Sequence, residues 1–204
     1  MAEQTVGKYK SRRNDVRLVQ TDEGRCVVKV FPEGEAFHRE LQMYRLLQDG
    51  GLPCAAVLAA QENTLVLTQL PGRNLVDCLE EQEQTGRPVW NVWEKLVEWL
   101  IAFHRHTGLV MTDVNLRNFL YDEKTNMLYG VDFEECDVGS MAVCAARVAA
   151  FIRTYTPAHT ALKQELSQYI LNRFAQECGL ECDTLVREAG RQEEKLLERR
   201  NNQK

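Results

Sequence analysis

The spacing of apolar residues changes along the chain, and the change divides it. Between residues 15 and 31 the runs "VRLVQT" and "CVVKVF" flank the polar turn "DEGR", which predicts a β-hairpin stopped at Pro32. Over 35–48 the spacing becomes helical. Phe37, Leu41, Tyr44 and Leu47 share one side, and Asp49-Gly50-Gly51 ends the helix. "AAVLAA" and "NTLVLTQL" predict a further strand pair closed by Pro71-Gly72. Beyond it, helices are expected over about 75–84 and 91–106, the second with Val92, Leu96, Trp99, Leu100 and Phe103 on its apolar stripe. Two short strands, "NFLYD" and "MLYGVDF", interrupt the helices. Helical spacing then resumes over 140–153 and 158–177, followed by a charged helix from Cys182 to the C-terminus that reads as a solvated, fraying end. The pattern predicts an α+β chain in two lobes. Residues 1–70 form a small strand-rich lobe with one helix, and residues 71–204 a larger helical lobe.

Two charges break the apolar pattern. Lys29 lies in the strand "CVVKV" on the face of Val27 and Phe31, where an ammonium needs water or a counter-charge. Glu40 supplies a carboxylate on the apolar stripe of the next helix, three residues after Phe37 and four before Tyr44. Glu35 is the rival partner, although a first-turn acid is already favoured by the helix dipole. A second group sits in "GLVMTDVNLRNFLYDEKTNMLYGVDFEE", residues 108–135. Asp113 lies in the loop entering a hairpin, Asn118 precedes its first strand, and Asp132 is expected to end its second. A carboxamide and a carboxylate at one end of a hairpin suit Mg2+, a hard cation that takes oxygen ligands. A further carboxylate can then orient and deprotonate an attacking hydroxyl.

Composition narrows the classes. With 204 residues, 44% apolar and 27% charged, the chain can bury an ordinary core. A net charge of −5 argues against nucleic acid as the main partner, despite a local basic patch at Lys8, Lys10, Arg12, Arg13 and Arg17. No run reaches the ~18 apolar residues of a membrane span, and "MAEQTVGKYK" lacks the apolar centre of a secretory signal. Seven cysteines, several within apolar runs, read as reduced buried thiols of a cytoplasmic protein. His104, at the end of the long helix, is expected to support the following loop. Trp90, Trp93 and Trp99 are expected in the core.

The order Lys29, Glu40, Asp113, Asn118 and Asp132-Phe133-Glu134 resembles the signature of the protein-kinase-like superfamily. The resemblance covers about residues 15–150 and implies the two-lobed kinase-like fold. It implies that Lys29 binds ATP phosphates and is held by Glu40, that Asp113 is the catalytic-loop aspartate, and that Asn118 and Asp132 ligate Mg2+. It also implies that "LTQLPGRNL" is the hinge, with Thr68, Gln69 and Leu70 as adenine contacts. Ser11, in the glycine-free loop "KSRRND", and Arg117, beside Asp113, become candidate phosphate contacts. Departures from the signature matter. "Met111-Thr112-Asp113" replaces His-Arg-Asp, Glu134 replaces the DFG glycine, and neither a long activation segment nor an APE motif follows. In these respects, and in "VDFEECDVG" with Gly139, the chain is similar to aminoglycoside and choline phosphotransferases and to small atypical kinases. The function implied is an ATP- and Mg2+-dependent transfer of a phosphoryl group to a hydroxyl of a small-molecule or atypical acceptor. An atypical serine/threonine protein kinase and a nucleotide-binding pseudokinase that engages a protein partner are the alternatives.

Overall fold

The computed structural model describes residues 4–202. The chain divides into two compact units, one of Met1–Pro71 with Tyr129–Glu134, the other of Gly72–Leu128 with Glu135–Lys204. It is a mixed α+β fold.

The first unit is built on an antiparallel sheet of β1 (Gln4–Tyr9), β2 (Asp15–Thr21), β3 (Gly24–Val30), β4 (Val57–Gln61) and β5 (Thr64–Thr68), in the order β1-β2-β3-β5-β4. The β2–β3 turn is closed by Thr21, whose hydroxyl donates to the Gly24 carbonyl at 2.9 Å and accepts from the Glu23 N–H at 3.2 Å. Glu62 and Asn63, with φ of 46° and 64°, make the β4–β5 turn, the left-handed pair that matches strand twist in a two-residue hairpin. Helix α1 (Gly34–Asp49) buries Phe37, Glu40, Leu41, Met43, Tyr44 and Leu47, so Glu40 lies on the apolar stripe itself. The returning segment 129–134 joins this unit through a bridge between Cys54 and Gly130.

In the second unit, α2 (Leu75–Thr85) is capped by Asn74, whose side chain accepts from the N–H groups of Val76 and Asp77. Helix α3 (Trp90–Thr107) buries eight residues, Trp93 and Trp99 among them, and stops at Gly108 in the left-handed conformation. Trp90 stays partly exposed and packs against Tyr169. The short strand β6 (Arg73–Asn74) pairs with β8 (Phe119–Asp122), and β7 (Val110–Met111) pairs with β10 (Cys136–Asp137). Helix α4 (Met141–Thr154) packs on both α5 (Ala161–Cys178) and α6 (Cys182–Asn201).

Three expectations from the sequence are corrected. Strand β9 (Met127–Gly130) ends two residues before Asp132, which sits in a loop with φ of 66°. Helix α5 begins at Ala161 rather than 158, because Thr160 turns its hydroxyl to the Lys163 N–H and fixes the first turn there. Helix α6 is not merely a solvated end, since Leu185, Ala189 and Gln192 are buried; its expected continuation over 203–204 lies outside the described residues.

Gly72 is the tightest backbone approach. Its φ is +95°, and a Cβ there would lie 2.4 Å from the Tyr121 carbonyl oxygen. Gly72→Ala must therefore separate β6 from β8. The expected loss is on the order of 3 kcal/mol, read as a lowered urea midpoint.

Candidate active site

In the first unit Lys29 is the hub. It is 6% exposed, and its Nζ donates to Glu40 Oε2 and to Asp132 Oδ1, each at 2.6 Å. Glu35 instead pairs with Arg39 one helical turn away at the surface, so the stripe residue is the counter-charge. Phe133 is fully buried and meets Tyr44 edge-on at 5.0 Å, fixing the Asp132 loop to α1. Glu134 accepts from Asn14 Nδ2 at 3.1 Å, and the Asn14 N–H donates to Ser11 Oγ at 3.2 Å. The glycine-free loop is thus folded on itself by Ser11 and tied to Glu134 by Asn14.

One ammonium here faces three carboxylates, of Glu40, Asp132 and Glu134, which can bring an oxygen each within 4.8 Å of one another. Burial works against the Lys29 charge, but Glu40 and Asp132 outweigh it and raise its pKa above the ordinary value. Burial pushes Glu40 up to about 7, opposed by Lys29 and reinforced by the charges of Asp132 and Glu134. The ammonium is well satisfied by Glu40 and Asp132, and three carboxylates against one ammonium leave negative charge in surplus. Glu40 Oε1 is buried and has no hydrogen-bond partner among the described residues. The donor set is all oxygen with excess negative charge, which fits a hard divalent cation.

Thr68, Gln69 and Leu70 end β5 and lead out of the sheet. The Thr68 N–H donates to the Ala56 carbonyl and its hydroxyl accepts from the Ala56 N–H, both at 2.9 Å. Of the expected hinge donors, only the N–H groups of Gln69 and Leu70 lie beyond this pairing.

In the second unit Asp113 is half-buried, and the Asn118 carboxamide holds its loop. Asn118 Nδ2 donates to the Asp113 carbonyl at 3.1 Å and lies 3.5 Å from its Oδ2. Occupation of the nitrogen leaves Oδ1 as the atom for a cation. Asn115 caps the turn, accepting from the Arg117 N–H at 3.1 Å and from the Tyr155 hydroxyl at 2.6 Å. The Thr112 N–H donates to the Glu135 carbonyl at 3.0 Å, while Arg147 from α4 donates to the Thr112 carbonyl at 3.2 Å. His104 makes its expected contact, Nδ1 lying 2.9 Å from the Leu109 carbonyl oxygen. Gly139 is required by closeness, since a Cβ there would meet Val110 Cγ2 at 2.4 Å. Among the sequence candidates, Lys29, Glu40 and Asp132 come together in the first unit, and Asp113 and Asn118 in the second. Ser11 is exposed and closes its own loop.

The comparisons bear on this arrangement. Residues 9–87 match the model of the phosphotransferase enzyme family. No curated protein sequence matches the chain. Among solved structures, WaaP in complex with acyl carrier protein aligns over 93% of this chain and 88% of its own, with 16% identity and a TM-score of 0.64. The PK-1 kinase of the Cydia pomonella granulovirus aligns over 81% and 67%, with 16% identity and a TM-score of 0.56. The fold is protein-kinase-like. The phosphotransferase-family match spans less than half of the chain, and the two solved structures share its fold.

Asn14 in the first unit and Asn115, Arg147 and Tyr155 in the second hold candidate residues or their loops and were not singled out from the sequence. Only Arg147 carried a signal. It is a lone arginine within the apolar stretch "MAVCAARVAAFI", where a charge implies a specific partner. An open groove of about 660 Å³ in the second unit is a different feature. There Arg73 is paired with Glu81 and Glu123, and the Gln82 side-chain oxygen accepts from Val89 N and Trp93 Nε1.

Proposed function

We propose that the chain transfers the γ-phosphoryl group of ATP, with Mg2+, to a hydroxyl of a small-molecule or atypical acceptor. The observation that carries this reading is Lys29, held between Glu40 and Asp132 at 2.6 Å on each side. Lys29 would meet the phosphates while Glu40 fixes its position. Asp132 and the Oδ1 of Asn118 would hold Mg2+, which when bound neutralises phosphate charge. Gln69 and Leu70 follow Thr68 as the backbone donors for adenine, and Ser11 lies on the loop assigned to the phosphates. Asp113 accepts the proton of the acceptor hydroxyl as its oxygen attacks phosphorus and ADP departs. Among the described residues no helix is long and apolar enough to cross a membrane. The cytoplasm is the compartment proposed, on the reading of the seven cysteines as reduced thiols.

Thermal unfolding with and without Mg2+-ATP tests the nucleotide site. A ligand at about a hundred times its Kd adds about 2.7 kcal/mol to stability. The midpoint should rise only with metal and nucleotide together, and Asp132→Ala should abolish the rise. A parent chain indifferent to millimolar Mg2+-ATP would end this reading. Stabilisation without measurable transfer would make the chain a nucleotide-binding module instead.

A further inference from the structure

The groove of about 660 Å³ in the second unit falls within the size of small-molecule sites, roughly 300–1,000 Å³. Most of its polar lining is already committed. Arg73 sits between Glu81 and Glu123, the Thr85 hydroxyl donates to the carbonyls of Glu81 and Gln82, and the Tyr121 hydroxyl donates to Asn126. Gln82 is the exception. It is 3% exposed, and its carboxamide oxygen accepts from Val89 N at 3.0 Å and from Trp93 Nε1 at 2.9 Å. Two donors on one atom settle which end of the amide is oxygen. They leave the Gln82 nitrogen with no partner among the described residues. An exposed arginine without a counter-charge is ordinary, but a buried carboxamide nitrogen without an acceptor is not. Gln82 lines the groove, so a ligand there can reach that nitrogen. The same groove is lined by Arg87, which forms no ion pair among the described residues, and by Val89, Val92 and Cys78. Val92 and Cys78 are buried while Val89 is exposed, and burial pushes the Cys78 thiol up to about 11, so this wall is apolar and uncharged.

We infer that this groove binds a free α-amino acid with an apolar side chain. The ligand carboxylate accepts from the Gln82 nitrogen and from the Arg87 guanidinium, one neutral donor and one charged donor on the same anion. Its side chain lies on Val89, Val92 and Cys78. Its ammonium is drawn to the opposite charge, since Arg73 offsets only one of the two carboxylates of Glu81 and Glu123. The charges lining the groove, two arginines and two glutamates, sum to zero. That balance matches a zwitterion and disfavours a multiply charged anion such as a nucleotide, which would meet both glutamates. The groove lies wholly within the second unit and does not depend on the phosphotransferase reading.

The test is an NMR titration of the 15N-labelled full chain with leucine, glycine, leucinamide and N-acetyl-leucine. It is read at the Gln82 side-chain amide and at the Val89 backbone amide bonded to it. Leucine at millimolar concentration should move both signals saturably. Glycine lacks the side chain, leucinamide the carboxylate and N-acetyl-leucine the ammonium, and each should bind at least ~10-fold more weakly. Arg87→Gln, a substitution at an exposed position, should weaken leucine binding by a similar factor. Gln82→Glu keeps an oxygen for Val89 and Trp93 but exchanges the N–H donors for an oxygen that repels a carboxylate, and it should abolish the Val89 response. Signals unmoved by leucine, or equal affinity in the parent and Arg87→Gln, overturn the inference. Binding of glycine, leucinamide or N-acetyl-leucine as tight as that of leucine overturns it too, because the groove would then not read all three parts of the amino acid.

Discussion

Lys29→Met is expected to destabilise the chain by about 3–5 kcal/mol at pH 8, because it strands Glu40 in a fully buried position. The cost should depend on pH in a way that identifies its origin. Burial raises Glu40 to about 7 in the folded parent, from 4.5. A carboxyl raised on folding contributes stability that is fully present below its unfolded pKa and is lost as pH rises through the folded value. Without Lys29 the carboxyl loses the partner opposing this shift, so its pKa rises further and the loss extends to higher pH. The gap between parent and Lys29→Met should therefore be small near pH 5 and widen towards pH 8. Urea midpoints across that range measure it. Lys29→Met with Glu40→Met should recover most of the loss, since replacing both members of a buried pair is far cheaper than removing one. A gap independent of pH would mean that the lysine stem, not its charge, carries the effect.

Asp113→Ala is the second large effect, a fall of at least ~100-fold in phosphoryl transfer with Mg2+-ATP stabilisation retained. Asn118 reaches the Asp113 main-chain carbonyl at 3.1 Å and its carboxylate only at 3.5 Å. The alanine variant therefore keeps the shorter of the two bonds that order the loop. Asn115 and Arg147 hold the same loop through groups the substitution leaves intact. Single-turnover transfer and thermal unfolding separate the two quantities. Equal loss of binding and transfer would assign Asp113 to the metal or to folding rather than to the acceptor proton.

Much of this arrangement was legible in the chain. The Lys29–Glu40 pair could be read because each residue is a charge on an apolar stripe, and burying either alone is costly. The same reasoning ranked Glu40 above Glu35, which the structure leaves at the surface with Arg39. The helices expected over 75–84 and 91–106 lie within a residue of those observed, Leu75–Thr85 and Trp90–Thr107. The expected limit slipped at α5, where Thr160 rather than the earlier apolar residues begins the helix.

What the sequence determined by itself is what local physics sets: the periods of strand and helix, their stops, and the charges that could not be left alone in apolar runs. The tertiary structure alone decided the long-range partners. Asn14 meets Glu134 across 120 residues, Lys29 meets Asp132 across 103, Tyr155 meets Asn115 across 40 and Arg147 meets Thr112 across 35. No period encodes such distances. A hydrogen bond between distant residues forms only where packing has already brought their backbones together, so its identity belongs to the fold.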